Sequence, residues 1–90
     1  MSEFAVLLSP SENYAVVQLP GRRFPGIVFQ GDSAQNILRQ LTRIQQLAGR
    51  YRDCELDAEV GDLRELFASF VKKYESCCEA HALQLPYPKS

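Results

Sequence analysis

Phe24-Pro25-Gly26-Ile27-Val28-Phe29-Gln30-Gly31-Asp32-Ser33 reads as a turn, a short strand, a second turn and a helix start within ten residues. Proline fixes φ near the value that a turn requires, and glycine accepts φ > 0, so Pro25-Gly26 is turn chemistry. Ile27-Val28-Phe29 is the β-branched and aromatic composition that a pleated strand favours. Gly31 interrupts it, and Asp32 or Ser33 has the side-chain oxygen that accepts from the free N–H groups of a first helical turn. The switch from strand to helix therefore falls at residues 30–33, and the chain can be read outward from it in both directions.

Upstream, Phe4 to Leu8 is an apolar run closed by Ser9-Pro10-Ser11, and Tyr14 to Leu19 is a second run closed by Pro20-Gly21. Strands are expected at about 4–8, 14–19 and 26–30. Connections this short favour an antiparallel meander, and so small a sheet needs a cover on one face. Downstream, Ile37, Leu41, Ile44, Ala48 and Tyr51 step by four, three, four and three, with Ala34, Leu38 and Leu47 widening the stripe. This predicts a helix over about 33–49, with Asp32 and Gln35 in the form of a capping box and Gly49 at the end. Val60, Leu63, Phe67, Phe70, Tyr74 and Cys77 form a second stripe, predicting a longer helix over about 57–82 capped by Asp57, with Gly61 inside it. Asp62 with Glu65 is a competing start. Prolines 86 and 88 force an extended tail, residues 83–90, whose alternating apolar residues suit packing back on the body. The expected fold is α+β: a three-stranded antiparallel meander followed by two antiparallel helices packed on one face, in a single domain spanning 1–90.

Ninety residues with 46% hydrophobic and 23% charged content suit one ordered domain with one modest core. The net charge of −1 carries no global footprint for nucleic acid. Residues 1–50 hold five arginines against three acids, a net of +2, and residues 51–90 hold five cations against eight acids, a net of −3. No apolar run reaches the length of a membrane span, and the first residues lack the basic start and cleavage site of a secretory leader. Three cysteines do not make a disulfide framework, which points to the cytoplasm.

The loop Gly21-Arg22-Arg23-Phe24-Pro25-Gly26 sets two guanidinium groups and an aromatic ring between glycines. Arginine and aromatic residues are favoured at protein interfaces, and arginine pairs well with carboxylates, so Arg22, Arg23 and Phe24 are the candidate contact residues. A solvated hairpin loop with Phe24 tucked inward is the plainer account. Arg39 and Arg43, one turn apart on the outer flank of the first helix, extend the candidate surface. Gly31-Asp32-Ser33 lacks the glycine and lysine context of a phosphate loop, and its aspartate opposes an anion, so it reads as a cap.

Cys77, Cys78 and His81 lie within about a turn, with Cys54 elsewhere. Cys77 and His81 have i, i+4 spacing for a soft metal, but structural zinc takes four ligands and a second paired motif is missing. No metal, cofactor or catalytic residue is assigned, and a small enzyme or metal-binding protein using Cys54, Cys77, Cys78 and His81 is a further alternative for the function. A Cys–His nucleophile pair needs an orienting group that the lone histidine does not have nearby. Asp53, Glu55, Asp57, Glu59 and Asp62 lack the spacing of a calcium loop. They suit a helix dipole, or an acidic patch that mimics nucleic acid toward a basic toxin.

Two resemblances are carried by these residues. Tyr14-Ala15-Val16-Val17 followed by Phe24-Pro25-Gly26-Ile27-Val28-Phe29-Gln30-Gly31-Asp32-Ser33 resembles the N-terminal half of HicB-type antitoxins, over about a third of the chain. Gln35 and Asn36 replace the acidic residue and alanine usual early in that family's helix, and the family's fourth strand and DNA-binding tail have no counterpart. The longer pattern from Ala15 through Gly26, with Gln30-Gly31-Asp32-Ser33, two helices and a Leu-Pro-Tyr tail, is similar to a family of small bacterial proteins encountered near toxin systems, with immunity as its suspected role. The first resemblance implies a homo-oligomeric regulatory domain acting with a ribonuclease toxin. The second implies a non-enzymatic protein whose partner is a toxin.

Overall fold

A computed structural model describes residues 4–89; the ends of the expected domain, residues 1–3 and Ser90, lie outside the described residues. The fold is α+β, with three antiparallel strands followed by two helices that pack against each other. Its described residues divide into two compact units, one ending at Gln30 and one beginning at Gly31.

In the first unit the strands are β1 (Val6–Leu7), β2 (Tyr14–Gln18) and β3 (Gly26–Phe29), in the order β1-β2-β3. β1 is shorter than the expected run over 4–8 because Ser9 replaces a ladder partner. Leu8 N–H donates to Val16 O at 2.8 Å, but Val16 N–H donates to Ser9 Oγ rather than to a backbone carbonyl, also at 2.8 Å. The β2–β3 register pairs Tyr14 with Phe29, Ala15 with Val28, Val16 with Ile27 and Val17 with Gly26. Side chains alternate across the pleat, so Ala15 and Val17 share one face and are both buried. Tyr14, Val16 and Ile27 share the opposite face with Val6, and of these Tyr14, Val6 and Ile27 are exposed.

In the second unit α1 (Gly31–Arg50) and α2 (Cys54–Ala80) form an antiparallel hairpin. Thr42 meets Arg64 and Gln45 approaches Gly61, which sets the register between the helices. A methyl group at Gly61, inside α2, would stand 3.2 Å from Gln45 Nε2, the end of a flexible side chain on α1.

Several expected boundaries move, each for a local reason. α1 starts at Gly31, so Asp32 and Ser33 lie inside its first turn rather than capping it. Asp32 Oδ1 accepts from Ser33 N–H at 2.9 Å, and its charge faces the positive end of the helix dipole. Gln35 is buried and does not complete a capping box. α1 passes Gly49 and ends with Arg52 in the left-handed conformation, φ 56°. Arg52 N–H donates to Gly49 O at 3.2 Å and Asp53 N–H to Ala48 O at 3.0 Å, the paired bonds of a Schellman cap. Asp53, not Asp57, is the N-cap of α2, its carboxylate accepting from Leu56 N–H at 3.0 Å. One residue thus closes one helix and opens the next. α2 ends in a second Schellman cap, with Ala82 at φ 54°, Ala82 N–H on Glu79 O and Leu83 N–H on Cys78 O.

The apolar stripe of α2 is also rotated from the expected one. Val60, Val71 and Cys78 are buried and Phe67 and Tyr74 half-buried, whereas Leu63, Phe70 and Cys77 are exposed. The seam with α1 runs through Gly61, Arg64 and Tyr74, and a helix meeting one other helix buries a narrow strip of a wider apolar face. The tail does return to its unit, where Tyr87 Oη donates to the Glu75 carboxylate at 2.9 Å.

Candidate functional site

The loop joining β2 to β3 is shaped by its sequence. Pro20 and Gly21 occupy the two central positions of a turn in which Arg22 N–H donates to Leu19 O at 3.3 Å. Gly21 has φ 76°, the positive value that the third residue of a type II turn needs. The Gln18 side chain, at the end of β2, braces the loop from beneath: its Nε2 donates to Arg22 O at 2.6 Å and to Leu19 O at 3.3 Å. Pro25 then restricts the chain as it enters β3.

This frame presents Arg22, Arg23 and Phe24 around one open cavity of about 440 Å³, lined by Leu19 and residues 21–26. Phe24 is 72% exposed, so it does not tuck into a core as the plainer account requires. The Arg23 guanidinium carbon lies 5.2 Å from the Phe24 ring centroid, within range of a cation–π contact worth about 0.5–1 kcal/mol at an exposed site. A guanidinium over a ring face still presents its N–H edges to carboxylates. The arrangement suits an acidic protein surface with an apolar spot. Gln18, which holds the loop, carried no sequence signal beyond its place at a strand end.

Arg39 and Arg43 belong to the helical unit. Arg39 lines a cavity between the helices together with Gln35, Leu38, Thr42 and Arg64, whereas Arg43 is exposed and outside that lining. Arg64 was not singled out by the sequence, because a lone arginine on an amphipathic helix is ordinary, and Gln35 was read there only as a capping-box partner of Asp32.

The cysteines and histidine separate into two groups. Cys54 is the first residue of α2, while Cys77, Cys78 and His81 are at its other end, roughly 35 Å away at the helical rise of about 1.5 Å per residue. The four cannot share one ion, and no group of three or more His, Cys, Asp or Glu suited to a metal occurs among the described residues. Cys78 is buried beside Tyr74, whose hydroxyl pKa is raised by burial, by its hydrogen bond with Cys78, and by the negative charges that Cys78 and Asp32 bring nearby. Of the acidic cluster, Asp53 is the cap of α2, and Glu55 and Asp57 lie in its first turn, where the helix dipole favours them. Among the described residues no helix is long and apolar enough to cross a membrane.

No curated protein matches the chain, and no solved structure matches it. Residues 1–87 match a family of unknown function (DUF6959). With all but its last three residues inside that match, the chain belongs to the family of unknown function DUF6959.

Proposed function

We propose that this chain is a non-enzymatic, cytoplasmic protein-binding module of the immunity or antitoxin type, which captures and neutralises a bacterial toxin through the loop that carries Arg22, Arg23 and Phe24. The observation that carries the reading is the braced loop itself: three exposed side chains of interface type are held around one cavity by Gly21 and Gln18. A surface already ordered before binding loses little conformational entropy on association. The resemblances set out for the sequence supply the toxin as the partner, and the two arginines favour an acidic face on it. The reading needs no cofactor and no catalytic residue.

The test is capture of the partner by wild-type protein beside an Arg22→Glu/Arg23→Glu variant, followed by co-expression. Wild type should retain one stoichiometric protein whose expression alone arrests growth, and should relieve that arrest. The charge-reversed variant should do neither. Equal capture by both forms removes the loop from the binding surface, and no growth-arresting partner removes the toxin.

A second reading, self-association as in a regulatory toxin–antitoxin domain, is favoured by the exposed apolar residues Val6, Tyr14 and Ile27 on one sheet face. Sedimentation of wild type beside Ile27→Lys separates the two: a dimer lost in the variant supports this reading, and a monomer at all concentrations rejects it.

A further inference from the structure

The cavity between α1 and α2 has the chemistry of an anion site. Gln35, Leu38, Arg39 and Thr42 follow one another at helical spacing along one face of α1, and Arg64 reaches them from α2. Thr42 spends both of its hydrogen-bonding roles on structure: its hydroxyl donates to Leu38 O at 2.9 Å and accepts from Arg64 Nε–H at 3.0 Å. That bond fixes the half-buried Arg64 by its Nε and leaves both Nη groups uncommitted. Neither Arg39 nor Arg64 has a carboxylate partner among the described residues, and no acidic side chain lines the cavity. Two guanidinium groups on one cavity repel each other, and a partly desolvated guanidinium without a counter-charge is costly.

Gln35 supplies an independent observation. It is the buried polar residue of the unit, 9% exposed, and its amide has no hydrogen-bond partner among the described residues while lining the same cavity. A primary amide brings two donors, and because no fully buried side-chain nitrogen or oxygen lacks a partner among the described residues, these donors keep contact with solvent and are open to a ligand in the cavity. Gln35, Arg39 and Arg64, each bearing N–H donors, thus line about 320 Å³ of space that no carboxylate lines.

We infer that this interhelical cavity binds a small oxyanion, a phosphate or carboxylate group of a low-molecular-weight ligand, held by Arg39, Arg64 and the Gln35 amide. Both groups offer several lone pairs to the N–H donors of these three side chains, and charge assistance makes such bonds short and strong. The site lies wholly within the helical unit and does not depend on the loop of the first unit.

The probes are inorganic phosphate and acetate, each titrated at low ionic strength while the Arg64 Nε–H and Gln35 side-chain amide resonances are followed by NMR. Saturable shifts of both signals are expected, with phosphate tighter if the natural ligand is a phosphate and acetate tighter if it is a carboxylate. Arg39→Gln, a surface change that spares the Thr42–Arg64 bond, should weaken binding about tenfold, the worth of one charge-assisted hydrogen bond. Arg50→Gln, exposed at the far end of α1, should leave it unchanged. Shifts that do not saturate with either probe, or equal weakening by Arg50→Gln and Arg39→Gln, would show diffuse attraction and overturn the site. Binding undiminished in both Arg39→Gln and Gln35→Leu would overturn it equally.

Discussion

Gly31, the first residue of α1, lies directly against the ring of Tyr74 on α2, so closely that a methyl group at Gly31 would overlap the ring carbons. The sequence suggests a strand breaker here, but the contact gives the glycine a second purpose, as the point where one helix end approaches the other helix. Helix propensity alone says that Gly31→Ala should stabilise the protein, by up to about 1 kcal/mol. The contact says the reverse, because overpacking a fixed ring costs about 1–3 kcal/mol. Chemical denaturation decides by sign. Tyr74→Leu in the same background should recover part of the loss, since residues in contact are not additive. A stabilised Gly31→Ala protein would mean that Tyr74 does not sit there.

Asp53 carries the α2 N-terminus. Asp53→Ala should cost about 1 kcal/mol, the usual worth of an N-cap, and Asp53→Asn should retain most of it because the amide oxygen still accepts from Leu56 N–H. Asp57→Ala, which removes only a first-turn charge, should cost about 0.3–1 kcal/mol at low salt and less as salt is raised. Denaturant midpoints of the three variants in low and high salt check the assignment. A larger loss at Asp57 than at Asp53 would move the helix start downstream.

The two non-glycine residues at positive φ are openings for stabilisation. Arg52 and Ala82 each complete a Schellman cap that glycine would occupy without steric cost. Arg52→Gly and Ala82→Gly should each raise stability by about 0.5–1 kcal/mol, after allowing for the greater freedom of glycine in the unfolded chain. They stand at opposite ends of α2, so the double variant should show the sum. Thermal midpoints that fall in either single variant would show that its left-handed residue is not strained.

What the sequence made legible follows from where its chemistry is local. Pro20-Gly21 and Pro25-Gly26 mark the β2–β3 loop because turn residues act through their own backbone, and the antiparallel meander follows from the short connections. The helix ends were harder. Asp53, Asp57 and Asp62 all have capping chemistry, and nothing local chooses among them, while Arg52 and Ala82 adopt a conformation that their side chains do not advertise. The α2 stripe was misplaced because Leu66-Phe67, Phe70-Val71 and Cys77-Cys78 offer two apolar lines one residue apart. Only the seam with α1 selects between them, which is why Cys78 rather than Cys77 is buried. The candidate loop was visible as Arg22, Arg23 and Phe24. The Arg64–Thr42 bond joins residues 22 apart in sequence, and no spacing rule announces it or the burial of Gln35.

The tail offers a pH test. Tyr87 Oη donates to the Glu75 carboxylate, and its pKa is pushed up to about 12, first by burial and then by that hydrogen bond and the carboxylate's charge. Ionised tyrosine would lose the bond and set two negative charges side by side. The folded pKa lies above the ordinary tyrosine value of about 10, so the folded state binds more protons between these values. The contribution is therefore fully present below about pH 10 and is lost as pH rises toward 12. Tyr87→Phe should destabilise the protein by about 0.5–1 kcal/mol at neutral pH, the low end for a hydrogen bond to a charged, partly solvated group. Denaturant titrations of both proteins from neutral pH upward should show that difference closing in the alkaline range. A difference that persists unchanged there would mean that the stabilisation does not come from the protonated hydroxyl bonded to Glu75.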